Sequence, residues 1–198
     1  MKKVLGLLLI LLVLVIIAVG LGAYNIAATE KHWDVTEKII AQVRDSSIAA
    51  RAKDLTVPSL EDAELLSQGA EHYDAMCTIC HLAPGIKATE LSTGLYPTPP
   101  IFHQREPITD QTKKLERAKA YFWVIKNGLK MTGMPAWGLS HDDNEIWGMT
   151  AFVLKMSNMT PEQYKNLVSS TNDHAHGHEG NDGHGHGHGD SDDHGHSH

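Results

Sequence analysis

Five consecutive residues, Cys77-Thr78-Ile79-Cys80-His81, constrain this chain more than any other stretch. The pattern C-x-x-C-H is the attachment signature of c-type haem. Each thiol can form a thioether to a vinyl group, and the adjacent imidazole can bind the iron from the face nearest the peptide. A bare C-x-x-C also occurs in thioredoxin-like redox pairs and as half of a zinc site. Zinc needs a second ligand pair, and Cys77 and Cys80 are the chain's two cysteines. The thioredoxin arrangement needs a βαβ setting, whereas the sequence on either side reads as helix. With both thiols in one motif, no structural disulfide is available, and a haem would take over part of the core-building.

The N-terminus is a second strong signal. Lys2 and Lys3 precede Val4 to Ala23, an uncharged run interrupted only by glycine. At about 1.5 Å per residue such a run spans a hydrocarbon core of ~30 Å. A cleavable signal has a shorter apolar region and a small-x-small site. Ile26-Ala27-Ala28 matches that site poorly, so the segment reads as an uncleaved anchor. The two lysines hold the N-terminus in the cytoplasm. The rest of the chain is then expected on the opposite, periplasmic or extracytoplasmic, side of the inner (cytoplasmic) membrane, where known systems attach c-type haem. From Thr29 to about Lys53, Val35, Ile39, Ile40, Val43 and Ile48 recur at mixed three- and four-residue steps. This predicts a helical spacer that lifts the following domain off the bilayer, with Trp33 placed for the interface.

From residue 59 onward the pattern is a compact series of helices. Ser59 is a suitable N-cap, followed by Glu61, Asp62 and Glu64 where negative charge favours a helix start. The helix should run to about Met76 and deliver Cys77 at its end. Leu65, Leu66, Gly69, Ala70 and Tyr73 form its apolar side, and Gly69, costly in a helix, implies close packing against another helix. Thr109 or Asp110 caps a helix to about Asn127, with Leu115, Ala118, Phe122 and Ile125 on one side and Gly128 as its terminator. Residues 140–143 cap another through about Met156, with Ile146, Trp147, Thr150, Ala151, Val153 and Leu154 inward, across Gly69 and Tyr73. Thr160-Pro161-Glu162-Gln163 is a capping box opening a short helix to about Val168. No strand signal competes.

Two irregular stretches remain. Gly128 to Gly138 reads Gly-Leu-Lys-Met-Thr-Gly-Met-Pro-Ala-Trp-Gly, a loop by its glycines and proline. Its thioether sulfurs are candidate sixth ligands, since His/Met coordination is used by electron-transferring cytochromes c. Met134 is favoured over Met131 because Pro135 fixes the chain beside it. Met76 is tied to the proximal side, and Met149, Met156 and Met159 read as packing residues. His32, His72, His103 and His141 are alternatives for bis-His iron, with His103 the best placed; each otherwise reads as a surface or capping histidine. Leu91 to Gln104 contains Tyr96-Pro97-Thr98-Pro99-Pro100, which can be neither helix nor central strand. A carbonyl there, Pro97 by preference, is expected to accept the Nδ1 proton of His81. Trp137 and Trp147 are candidates to line the haem or simply to fill the core.

On these residues the segment 69–168 resembles a mono-haem, class I-type cytochrome c domain. The resemblance is carried by Gly69 and Tyr73 before the C-x-x-C-H, the Gly-Met134-Pro-Ala-Trp loop and the closing Trp147 helix. It is especially similar to small membrane-anchored bacterial forms with a Tyr-Pro-x-Pro-Pro segment and an Asn-Gly-x-Lys-Met-Thr-Gly-Met-Pro-Ala loop. It implies one covalent haem c attached at Cys77 and Cys80, with His81 and Met134 as axial ligands. It does not extend to the segment 30–58 or to the tail.

The tail has its own chemistry. From Asp173 onward there are six acids, no Lys or Arg, and nine histidines: His174, His176, His178, His184, His186, His188, His194, His196 and His198. Removing those acids leaves 17 basic against 18 acidic residues, so six of the seven net negative charges belong to the tail and the body is nearly neutral. No basic stripe suggests nucleic acid. A His-rich tract without apolar periodicity reads as disordered and, by composition, as a site for divalent metal ions; the plain alternative is a solvated tail. The expected organisation is all-α: anchor 1–28, helical spacer 29–58, cytochrome c-like domain 59–168 and disordered tail 169–198. The expected function is electron transfer rather than catalysis. A tethered carrier would exchange single electrons with membrane redox complexes such as a quinol-oxidising reductase, a terminal oxidase or a dehydrogenase. The alternative is a metal-handling protein for copper, nickel or zinc whose haem changes or senses redox state.

Overall fold

The computed structural model describes residues 1–175, with side chains through Ser169. Among the described residues every regular element is helical. Helix α1 (Lys2–Gly20) buries none of its residues against the protein and is long and apolar enough to cross a membrane. Helix α2 spans Asp34–Ala52 and starts five residues later than the periodicity suggested. The intervening segment is held by side chains instead: Tyr24 packs edge-on against Trp33, and the Tyr24 hydroxyl lies 2.6 Å from His32 Nδ1.

The segment before the domain does more than space it. Ile48 and Ala52 on the last turns of α2 are buried, and Lys119 reaches back to donate to the Lys53 carbonyl at 2.8 Å. At the other end, the His32 amide donates to the Tyr96 hydroxyl at 3.1 Å. Both ends of α2 are therefore in contact with the domain, while Val35, Ile39, Ile40 and Val43 between them stay exposed.

Helix α3 (Ala63–His72) begins at Asp62, not Ser59, because the Asp62 carboxylate accepts the Leu65 amide at 3.0 Å. It does not stop at Met76 either. A π-helical turn over Tyr73–Cys77 runs straight into α4 (Thr78–His81), so the haem motif lies within a continuous helical run. A short α5 (Glu90–Gly94), a 3-10 turn at Phe102–Gln104, α6 (Gln111–Asn127), a second 3-10 turn at Trp137–Leu139 and α7 (Asp143–Lys155) follow. Asp110 and Asp142 cap α6 and α7 as expected, Asp142 in a reciprocal pair with Glu145. The last helix, α8 (Pro161–Ala175), opens on the Thr160–Gln163 capping pair and runs past Val168.

The core lies where α3 crosses α7. Gly69 and Gly148 meet there with no room for a side chain on Gly69, which is the close packing its position implied. One apolar cluster joins Leu65, Phe122, Ile146 and Trp147, with Trp147 stacked on Phe122 at 4.1 Å. A second joins Tyr73, Phe152, Met156 and Tyr164. Met149 and Met156 are fully buried packing residues. Leu115, expected inward, is 39% exposed because α6 turns its Ala118–Phe122–Ile125 edge to the core instead.

Candidate haem-binding site

The helical run α3–α4 presents Cys77, Cys80 and His81 on its last turns, both cysteines free and half-buried. Three hydrogen bonds hold this end. Tyr164 donates to Asp74 Oδ1 at 2.6 Å and ties α8 to the π turn. Thr89, the N-cap of α5, donates to the Ile79 carbonyl at 2.6 Å. The fully buried Tyr73 donates to the Leu82 carbonyl at 2.7 Å. Leu82 follows His81 directly and has φ 56°, ψ 176°, a region rarely occupied by a branched side chain. The chain breaks out of the helix at this point, and the Tyr73 hydroxyl pins the strained residue.

His81 Nδ1 is 2.9 Å from the Pro100 carbonyl oxygen. The expectation of a proline-segment carbonyl holds, but the acceptor is Pro100 rather than Pro97. Pro97 follows a cis peptide bond earlier in the segment, and it is the end of the Pro-rich stretch, leading into the Phe102–Gln104 turn, that reaches the ring. A carbonyl can only accept, so Nδ1 carries the proton and Nε2 keeps its lone pair. Burial lowers the His81 pKa and Arg105 adds to the lowering, while the Pro100 hydrogen bond opposes them; the net shift is downward, toward the neutral imidazole a metal requires. Burial, with Cys80 nearby, pushes the Cys77 thiol up to about 12.

The second candidate ligand sits in a loop built to hold it. Gly128 ends α6 at φ 66°, and a Cβ there would stand 2.8 Å from the Met134 carbonyl oxygen. Only glycine lets the returning strand pass so close to the helix end. The Leu129 amide donates to the Met134 carbonyl at 3.2 Å, and the Met134 amide donates to Thr132 Oγ1 at 3.1 Å. Met134 is half-buried against the Leu65–Trp147 cluster, as is Trp137, whereas Met131 is 99% exposed. The histidine alternatives are otherwise engaged: His32 with Tyr24, and His72 with Glu145 and the His141 ring. His103 has a buried Nδ1 without a partner among the described residues, and burial lowers its pKa.

Two contacts at the site were not legible in the sequence. Phe102 stacks on the His81 ring at 4.8 Å, and Arg105 sits over Phe102 at 5.4 Å. Both follow the Pro-rich segment, whose only readable signal was that it is not helix. Of the tail histidines, His174 falls in the last turn of α8, where side chains are not described, and the other eight lie outside the described residues. Among the described residues no group of three or more His, Cys, Asp or Glu is placed to hold a metal ion.

The donor set thus comprises two free thiols in the haem-attachment spacing, a neutral imidazole with one nitrogen committed and a thioether pinned at half-burial. It fits a haem. Residues 64–153 match the family model described as "Cytochrome C oxidase, cbb3-type, subunit III". No curated protein and no solved structure matches the chain. The matched segment runs from the first turn of α3 to the last turns of α7 and contains both halves of the site. Residues 64–153 therefore form a cytochrome c domain, which supports haem binding and electron transfer.

Proposed function

We propose that the protein is a membrane-tethered c-type cytochrome that carries single electrons between redox partners. Cys77 and Cys80 would hold one haem covalently, with His81 and Met134 as its axial ligands. The observation that carries this reading is the 2.9 Å hydrogen bond from His81 Nδ1 to Pro100. It sets the tautomer, aims Nε2 and strengthens it as a donor, the usual second-shell support of a metal-bound imidazole. Met134 is preferred to Met131 for the opposite position because its backbone is fixed by Thr132, Leu129 and Gly128. Bound haem supplies reversible one-electron exchange at its iron. The chain's own residues hold that centre, orient it and keep its ligands out of water. With His81 and Met134 both holding the iron, no position would be left for a substrate, and the role would be that of a carrier.

Helix α1 supports a single membrane pass, and Lys2 and Lys3 favour a cytoplasmic N-terminus, which puts the haem domain on the extracytoplasmic side. The tether raises the effective concentration of the domain near membrane complexes. A terminal oxidase, a quinol-oxidising reductase or a dehydrogenase is a suitable partner class, and the matched family description, which names an oxidase subunit, points the same way. The metal-handling alternative has no observation among the described residues to favour it.

The test is optical and EPR spectroscopy of the wild type, Met134→Ala and Met131→Ala. The expected result is a thioether–iron charge-transfer band that disappears only in Met134→Ala. A band that survives in Met134→Ala moves the assignment to Met131 or to a histidine.

A further inference from the structure

Behind the His81 ring, side chains form an ordered stack that ends in a cation. Phe102 lies at 26° to the imidazole with centroids 4.8 Å apart, and the Arg105 guanidinium carbon lies 5.4 Å from the Phe102 centroid. Guanidinium and imidazole are therefore no more than about 10 Å apart, the two spacings end to end. Tyr121 closes the arrangement. Its ring meets Phe102 edge-on at 5.6 Å, and its hydroxyl accepts a hydrogen bond from Arg105 Nη1. The guanidinium is thus held by two aromatic faces and a hydroxyl, an arrangement that favours a fixed, partly desolvated cation.

The charge is also uncompensated. Among the described residues Arg105 has no carboxylate ion-pair partner. It borders a cavity of about 140 Å³ that it shares with Glu106, Lys114 and Arg117, and of these Lys114 is already paired with Glu61 at 2.8 Å. A half-buried guanidinium without a counter-ion carries a desolvation cost that no ion pair offsets.

We infer that Arg105 is a positioning and tuning residue of the redox centre: its charge, held at fixed distance through Phe102, raises the reduction potential of a haem bound at His81. The inference rests on the ligand role of His81 proposed above. Adding one electron to the ferric centre lowers its net charge by one and leaves its bonds unchanged. A fixed cation nearby therefore disfavours the oxidised form more than the reduced form. At about 10 Å and an effective dielectric between that of a protein surface and that of water, one unit charge changes the equilibrium constant with a reference couple roughly 2- to 15-fold.

The experiment is potentiometric titration of the full-length holoprotein, with the optical spectrum recorded on the same samples. Arg105→Gln is expected to lower the potential, shifting the equilibrium constant with the reference couple by that factor, with an unchanged spectrum. Arg105→Lys, which keeps the charge, is expected to retain most of the wild-type value. Arg117→Gln is the control: it removes an equal charge from the same cavity, but Arg117 is exposed and lies over the Tyr121 ring, at 5.6 Å, rather than over Phe102. A shift in Arg105→Gln no larger than that in Arg117→Gln overturns the inference. Should Arg105→Gln fail to hold haem, Tyr121→Phe decides. Loss of the hydroxyl removes one hold on the guanidinium and leaves the two aromatic faces, so a smaller shift in the same direction is expected and an unchanged potential overturns the inference. A wild-type spectrum without the thioether band would sink the Met134 assignment alone, leaving the Arg105 test intact.

Discussion

Gly69 and Gly148 face each other at the crossing of α3 and α7, yet they should not tolerate alanine equally. A Cβ on Gly69 would stand 2.0 Å from the Gly148 carbonyl oxygen, 2.4 Å from its carbon and 3.0 Å from Phe152 Cβ. An ordinary close C···O contact is about 3.3 Å, so the helices must part by roughly 1 Å. A gap of that size forfeits about a quarter to a half of each dispersion contact, and α7 is buried continuously from Ile146 to Val153, on both sides of Gly148. Together with overpacking strain, Gly69→Ala should cost roughly 3–5 kcal/mol. A Cβ on Gly148 meets its nearest neighbour, the Leu65 carbonyl, at 3.0 Å and the Gly69 amide nitrogen at 3.3 Å. A few tenths of an ångström relieve those contacts, and the roughly 1 kcal/mol of helix propensity that alanine regains is common to both sites. Gly148→Ala should therefore be less destabilising by about 2 kcal/mol or more. Urea unfolding of the two holoproteins, followed by far-UV circular dichroism, measures the difference. Equal costs, or a larger cost for Gly148→Ala, would refute the argument from contact geometry.

Two further outcomes are expected. Ile48 is 9% exposed and Ile39 59% exposed on the same helix, so Ile48→Ala should lower stability by about 2–4 kcal/mol. Ile39→Ala should stay within about 0.5 kcal/mol; equal effects in denaturant unfolding would mean that α2 is not docked on the domain. The second concerns pH. Burial lowers the His103 pKa below its usual 6.5. The unfolded chain then binds a proton that the folded protein resists, so stability falls as pH drops below that value. His103→Asn should flatten this limb relative to wild type between about pH 7 and 5.5. Parallel pH–stability curves for the two proteins would remove His103 as the cause.

Much of the fold was written in local pattern. The C-x-x-C-H motif is a haem-attachment signature in five adjacent residues, and the apolar run of α1 needs no partner to be recognised. Caps at Asp110, Asp142 and Thr160 were readable because a cap is a contact between residues three apart in sequence. Gly69 announced a close crossing because glycine in a helix interior needs a reason. The same logic misplaced the start of α3: Ser59 and Asp62 are both good caps, and only the folded backbone puts one of them 3.0 Å from an amide it can satisfy. The π turn at Tyr73–Cys77 has no local signature, since it is set by where Tyr73 and Cys77 must each pack.

The site divides along the same line. The sequence alone determined the candidate donors at Cys77, Cys80, His81 and Met134, because motif spacing and loop composition are properties of neighbouring residues. Tertiary structure alone decided that Pro100 rather than Pro97 receives the His81 proton and that Phe102 and Arg105 stack behind that ring. It likewise decided that Gly128 lets the Met134 strand close over the end of α6. These are contacts between segments separated by six to about twenty-five residues along the chain. Which of several chemically equivalent groups meets the ligand depends on the path of the backbone between them, and that path is fixed only when α3, α6 and α7 pack together.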